Sequence, residues 1–256
     1  MKGMKVSFLV VALWGVAQGQ WEADKRLTVY PNYFDYGSCN NAWTIAVQDT
    51  FVHIVWEHWG GPGELYYIRS VNSGSSFEPD KQLTTQNSHF PSIAVRDSVV
   101  HVVWYDERDG NEEIYYKRSI DNGDNWEADE RLTNDLNYSW YPSIAVRDSI
   151  VHVVWTDDRD GNEEIYYKRS IDNGDNWEAD VGLTNDLNYS RFPSIAVRDS
   201  IVHIVWMDNR DGNHEIYYKR SLDNGNTWEP DVRLTNDPNN FWFPSIAVRD
   251  SIVHIV

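Results

Sequence analysis

The sequence predicts an all-β chain, a propeller of four-stranded antiparallel blades, and three observations carry that prediction. First, the phrase PSIAVRDS begins at Pro91, Pro142, Pro193 and Pro244, 51 residues apart each time. Residues 92–142 and 143–193 agree at 44 of 51 positions, so one structural unit recurs. Second, β-branched and aromatic residues fall in short runs between turn signals, and no helical period outlasts a turn. Third, the run Ile150 to Trp155 is apolar on both sides: Val151, Val153 and Trp155 face one way, His152 and Val154 the other. Each sheet must then be covered on two faces, and sheets packed face to face around an axis meet that need.

The elements follow in chain order. Lys2 and Lys5 precede an apolar run from Val6 to Ala17, and Ala17 and Gly19 suit cleavage before Gln20, so residues 1–19 read as a signal peptide. The run is too short to span a bilayer. The segment QWEADKRLT then matches the fourth strand NWEADERLT of a later unit, so residues 20–30 are expected to close the last blade. Complete blades are expected at 43–84, 92–133, 143–184 and 194–235, within a propeller domain spanning 20–256. Each reads as four strands, SIAV, IVHVVW, EIYYKRS and one within WEADVGLT, separated by RDS, RDGN and DNGDN turns. Residues 245–256 begin a further blade and stop in its second strand, so the chain reads as truncated in blade five. Six blades would require on the order of 80 further residues.

Charge and cysteine content narrow the function. Removing residues 1–19 takes away two lysines and moves the formal net charge from −18 to −20. Such a surface disfavours nucleic acid and anionic membranes and suits an exported, extracellular, cell-surface or periplasmic protein. No membrane insertion is expected after signal cleavage. Cys39 is the only cysteine, which excludes a disulfide framework and a cysteine zinc site.

The turn between third and fourth strands is the most distinctive motif. SIDNGDNW occurs at 119–126 and 170–177, SLDNGNTW at 221–228, and SVNSGSSF at 70–77. Ser and Asp can bond nearby backbone groups, Gly supplies a positive φ, and Trp can fold back as an apolar plug. The pattern S-x-D-x-G-x-x-W resembles the Asp-box, or BNR repeat, of the sialidase (neuraminidase) superfamily, from Trp43 to the end of the chain. The matching residues are Ser119, Asp121, Gly123 and Trp126; Ser170, Asp172, Gly174 and Trp177; and Ser221, Asp223, Gly225 and Trp228. The earliest copy has Asn72 for Asp and Phe77 for Trp. The resemblance implies a six-bladed propeller with structural boxes on the face away from any active site.

The opposite face then carries the chemistry. Sialidases hold a substrate carboxylate with three arginines and use a tyrosine nucleophile, its assisting glutamate and an acid/base aspartate. Arg108, Arg159 and Arg210, in the RDGN loops, are candidate ligand-binding residues; the alternative is an ion pair within each blade, to Asp106, Asp157 or Asp208. Arg191-Phe192-Pro193 has the shape of the family's Arg-x-Pro motif, which makes Arg191 the one weak catalytic candidate, although Ser190 replaces the usual aromatic. No catalytic residue is assigned. His89, Trp140, Arg191 and Trp242 share one slot in the inter-blade loops, followed by Phe90, Tyr141, Phe192 and Phe243. Trp140 and Trp242 could stack on sugars and Arg191 could hold an acid group, against inter-blade packing as the alternative. Asp158, Asp160 and Asn162 alternate oxygen ligands as a calcium loop does, but the twelve-residue pattern is absent and DG is a common hairpin turn. His53, His101, His152, His203 and His254 recur mid-strand and read as core residues.

Near-identical blades repeat one group around an axis, whereas catalysis needs different groups at one point. The expectation is therefore a secreted or cell-surface propeller that binds a glycan or an extracellular protein, without a cofactor. The alternatives are an exo-α-sialidase and a structural repeat segment of a larger surface protein.

Overall fold

A computed structural model describes residues 26–27, 35–36, 44–58, 63–85 and 87–256. The signal peptide and, apart from Arg26 and Leu27, the closing strand lie outside these residues. The described residues contain strands and turns but no helix.

The first sheet holds β1 (Asp35–Tyr36), β2 (Ile45–Gln48), β3 (Phe51–His58), β4 (Glu64–Ser70) and β5 (Lys81–Gln82). The second holds β6 (Ser88–Arg96), β7 (Val99–Asp106), β8 (Glu113–Ser119) and β9 (Glu130–Arg131). The third holds β10 (Ser139–Arg147), β11 (Ile150–Asp157), β12 (Glu164–Ser170) and β13 (Val181–Gly182); the fourth holds β14 (Ser190–Arg198), β15 (Ile201–Asp208), β16 (Glu215–Ser221) and β17 (Val232–Arg233). A two-stranded sheet of β18 (Ile246–Arg249) and β19 (Ile252–Ile255) follows. All pairings are antiparallel between chain neighbours, save that β1 pairs β3. Each first hairpin turns in two residues, with Asp97, Asp148 or Asp199 left-handed at φ 52–54°. This is the meander of a sialidase-like propeller.

The core lies between sheets. Val103, Ile114 and Tyr116 of the second sheet pack on Val151, Val153, Trp155 and Tyr166 of the third. Val154, on the other face of β11, packs with Ile204 and Trp206 of the fourth. This explains why the second strand is apolar on both sides. The first strands are neighbours around the axis: the amides of Ile144, Ile195 and Ile246 each donate to the serine Oγ of the preceding sheet's first strand at 3.3 Å. The Ile-Ala-Val segments of β2, β6, β10 and β14, with Val248 of β18, line an apolar cavity of about 390 Å³.

The recurring histidines serve this core. Nδ1 of His53, His101, His152 and His203 lies 2.7 Å from the hydroxyl of Tyr67, Tyr116, Tyr167 and Tyr218. Burial depresses the imidazoles of His101 and His152 to about 3, with a smaller push from Arg118 and Arg169 respectively. They stay neutral. His254 departs from the core expectation and is exposed on β19.

The Asp-box turn adds a contact between blades. Asp172 Oδ1 accepts from Asn176 N at 2.9 Å, and Ser170 Oγ accepts from Gly174 N at 2.8 Å, which closes the loop on itself. The turn then docks backwards onto the preceding sheet. Arg118 Nη1 donates to Asn173 O at 2.6 Å, Arg118 Nη2 meets Asp175 at 2.5 Å, and Trp177 meets Tyr116 edge-on at 5.0 Å. The same relation joins Tyr67 to Trp126 and Tyr167 to Trp228. Trp177 is half-buried and lies against its neighbour, so the plug seals a seam between sheets. The fourth strands are also shorter than the sequence suggests: β13 has two residues, and Leu183 N extends its ladder with one bond to Ile165 O at 2.7 Å.

Candidate functional site

Opposite the Asp-boxes, β6, β10 and β14 each enter their sheet through a bulge, with register shifts between His89 and Ser92, Trp140 and Ser143, and Arg191 and Ser194. A bulge re-aims one side chain. Here it is aromatic: Phe90, Tyr141 and Phe192 hold left-handed backbone, as does Phe243 ahead of β18, at φ 51–56°. Such a conformation costs a non-glycine residue about 1–3 kcal/mol. It persists because the rings support one another around the axis, Phe90 to Tyr141 at 5.0 Å, Tyr141 to Phe192 at 4.7 Å and Phe192 to Phe243 at 4.5 Å. The rings sit at the end of the strands that line the apolar cavity.

Beside this ring lies the blade-specific slot, where each side chain meets a different partner. His89 Nδ1 lies 2.6 Å from Glu57 Oε1. Burial works against the imidazolium, but the bond to Glu57 and the charges of Glu57, Glu107 and Asp106 together outweigh it and raise His89 above its ordinary pKa. Trp140 stacks on Tyr138 at 5.4 Å. Arg191 lies over the Tyr189 ring at 4.8 Å and pairs with Glu163. Trp242 packs edge-on against His214 at 4.0 Å. Residues 92–142 and 143–193 differ at seven positions, and four of these, Tyr105/Thr156, Glu107/Asp158, Trp140/Arg191 and Tyr141/Phe192, belong to this face.

Arg108, Arg159 and Arg210 are engaged by carboxylates. Arg108 Nη2 pairs with the fully buried Asp106 at 2.6 Å and Nη1 with Asp129 at 2.6 Å, while its guanidinium lies 4.5 Å above the Tyr115 ring. Arg159 and Arg210 repeat this, and each adds an aspartate of the preceding blade, Asp135 at 3.0 Å and Asp186 at 3.2 Å. Burial would raise the Asp106 carboxyl, but hydrogen bonds from Arg108, Ser88 and Trp104 outweigh it and hold the group below its ordinary range. The three arginines thus stand in separate, parallel networks, and Arg191 belongs to none of them.

The three oxygen donors of the calcium reading are held apart. Asp158 Oδ1 accepts from Tyr138 N at 2.7 Å, Asp160 from the Tyr166 hydroxyl, and Asn162 Nδ2 donates to Glu164, Asp186 O and Asn188 O. Among the described residues, no three His, Cys, Asp or Glu side chains gather as a metal site.

Sequence reasoning passed over Leu136 and Leu187, which are 98% and 97% exposed in the inter-blade loops. Tyr138, Tyr189, Trp242 and Phe243 add exposed apolar surface to the same face. A leucine set among Asn and Asp residues in a turn was the available signal.

No family model and no curated protein matches the chain. Solved structures do. A Dyadobacter fermentans protein of unknown function is similar at 12% identity and TM-score 0.60, over 85% of this chain and 77% of that one. A variant of the NanB sialidase from Streptococcus pneumoniae is similar at 11% identity and TM-score 0.54, over 79% and 53%. The Trypanosoma rangeli sialidase, in complex with 2,3-difluorosialic acid, is similar at 15% identity and TM-score 0.54, over 80% and 40%. The chain thus spans about half the length of these sialidases, and the likeness is one of fold.

Proposed function

We propose that this chain is an exported sialidase-like propeller that recognises a glycan through the face opposite the Asp-boxes. The observation that carries the reading is the placing of sequence differences: duplicated blades diverge mainly where the aromatic ring and its blade-specific slot lie. Divergence at a packing seam would be compensated by neighbours in contact, whereas Trp140, Arg191 and Trp242 keep surface open to a ligand. Tryptophan faces stack on sugar rings, and a guanidinium beside them suits an acidic sugar. Two of the similar folds are sialidases, which supports a carbohydrate over other ligands.

Glycan-array screening of the protein, followed by calorimetry on any hit, tests this. Trp140→Ala or Trp242→Ala should weaken binding at least tenfold and leave the fold intact, and Arg191→Ala should act selectively on acidic glycans. Binding to a protein but no glycan would replace the ligand class, and absence of any ligand would favour a structural segment. Release of sialic acid from a fluorogenic sialoside, abolished by Arg191→Ala, would make the chain an exo-α-sialidase.

A further inference from the structure

A different part of the molecule departs from its own repeat. In the second and fourth sheets, an arginine on the outermost strand fills a cradle of three acceptors. Arg131 donates to Glu113 at 2.7 Å, to Asp109 at 3.0 Å and to the Thr133 carbonyl at 2.8 Å. Arg233 does the same to Glu215 at 2.7 Å, Asp211 at 2.8 Å and the Thr235 carbonyl at 2.7 Å. In the third sheet the equivalent residue is Gly182, and the acceptors remain.

Glu164 is 1% exposed, and its Oε1 accepts from Asn162 at 2.8 Å and Asp186 N at 2.9 Å. Thr184 bonds its carboxylate, as Thr133 and Thr235 bond Glu113 and Glu215, and no cationic side chain reaches it among the described residues. Asp160 keeps its tyrosine partner, Tyr166, and has no arginine partner among the described residues. A Cβ at Gly182 would meet the Tyr166 ring at an ordinary 3.5 Å, and Gly182 itself is exposed. Burial and lost pairing also separate the two glutamates. Burial pushes Glu164 up. In the fourth sheet, bonds from Thr235, Arg233, Asn213 and the Asp237 amide together outweigh burial and hold Glu215 down at about 2.

We propose that the third sheet carries a guanidinium socket, formed by Glu164, Asp160 and the Thr184 carbonyl, that takes an arginine side chain from a protein partner. The sibling sheets show the ligand chemistry in place: a planar fork satisfies two carboxylates and a carbonyl, which an ammonium group matches less well. The socket lies at the outer strand of its sheet, at the end that carries the RDGN loop.

Amide chemical shifts of the full chain, titrated with n-propylguanidinium, test the socket. Saturable shifts are expected at Gly182, Thr184 and Asp186, with n-propylammonium at least tenfold weaker. Gly182→Arg supplies the missing side chain in cis and should abolish the response. Glu164→Gln, which keeps the shape and removes the charge, should weaken it at least tenfold. Equal responses in the wild type and Gly182→Arg would mean diffuse attraction to an acidic surface and overturn the proposal, as would a lack of saturation. An end-blocked Gly-Arg-Gly peptide should shift the same amides. Binding of propylguanidinium without the peptide would overturn the protein partner.

Discussion

Replacing Gly174 by alanine tests whether the Asp-box is a latch between blades or a self-contained turn. Gly174 has φ +88°, and a Cβ there would overlap the hydroxyl and ring of Tyr116 in the preceding sheet. Left-handed backbone costs alanine about 1 kcal/mol. Displacing the buried Tyr116 ring adds about 1–3 kcal/mol of overpacking strain. Loss of its hydroxyl contact with His101 adds about 1 kcal/mol. The sum is about 3–5 kcal/mol for Gly174→Ala, from the terms just given. Gly161 is the internal control: its φ is +98°, yet nothing lies within 4 Å of a Cβ there. Gly161→Ala should therefore cost only the backbone term, about 1 kcal/mol. Urea unfolding followed by tryptophan fluorescence gives both values, compared through midpoints at constant slope. The nearest atom to the added methyl is the Tyr116 hydroxyl, so Tyr116→Phe should partly rescue Gly174→Ala, with a coupling of about 1 kcal/mol or more. Equal losses for Gly161→Ala and Gly174→Ala, or strict additivity with Tyr116→Phe, would refute the latch.

Three further outcomes follow from the same geometry. Trp177→Ala removes a half-buried ring and should cost about 2–3 kcal/mol, below the range for a fully buried tryptophan, measured by urea unfolding. Hydrogen bonds from the Asn176 side chain, the Ser170 hydroxyl and the Asn176 amide hold Asp172 at about 2. Its folded value lies below the unfolded one, so its stabilisation is present above pH 4 and lost as pH falls toward 2; Asp172→Asn should flatten that acid limb in a plot of Tm against pH. Gly182→Arg should stabilise the chain by about 1–2 kcal/mol at neutral pH, through a stiffer strand and a partner for Glu164. Glu164 is raised in the fold, so its penalty grows as pH rises above the ordinary glutamate range, and the gain from arginine should shrink in acid.

Periodicity made the architecture legible, because a 51-residue repeat with four turn signals allows few folds. The box residues were legible as a turn. Their outward partners were not: Tyr116 and Tyr167 stand in the same local sequence, so nothing in the string says that Trp177 meets the first and not the second. The left-handed backbone at Phe90 and Tyr141 was hidden for a related reason, since the bulge is imposed by neighbouring rings and aromatic residues carry no intrinsic preference for it. The arginine candidates were legible as a pair of readings, and only their carboxylate geometry shows Arg108 engaged with Asp106 and Asp129. The vacant position at Gly182 stood in the sequence all along, but it acquires meaning only once Arg131 is seen on Glu113.

The backward docking of each Asp-box also gives the chain a timetable. Arg118 bonds the carbonyl of Asn173, 55 residues further along. At ribosomal speeds of about 5–20 residues per second, that partner arrives about 3–11 seconds later. Each blade therefore leaves the ribosome with one seam unsealed and waits for its successor. Because successive blades are nearly the same, side-chain chemistry cannot tell a box which tyrosine is its own. Order of emergence can, since the nearest open seam is always the one made last. Refolding from denaturant removes that ordering and exposes every seam at once, so blades skipped or joined between molecules are the errors to look for there.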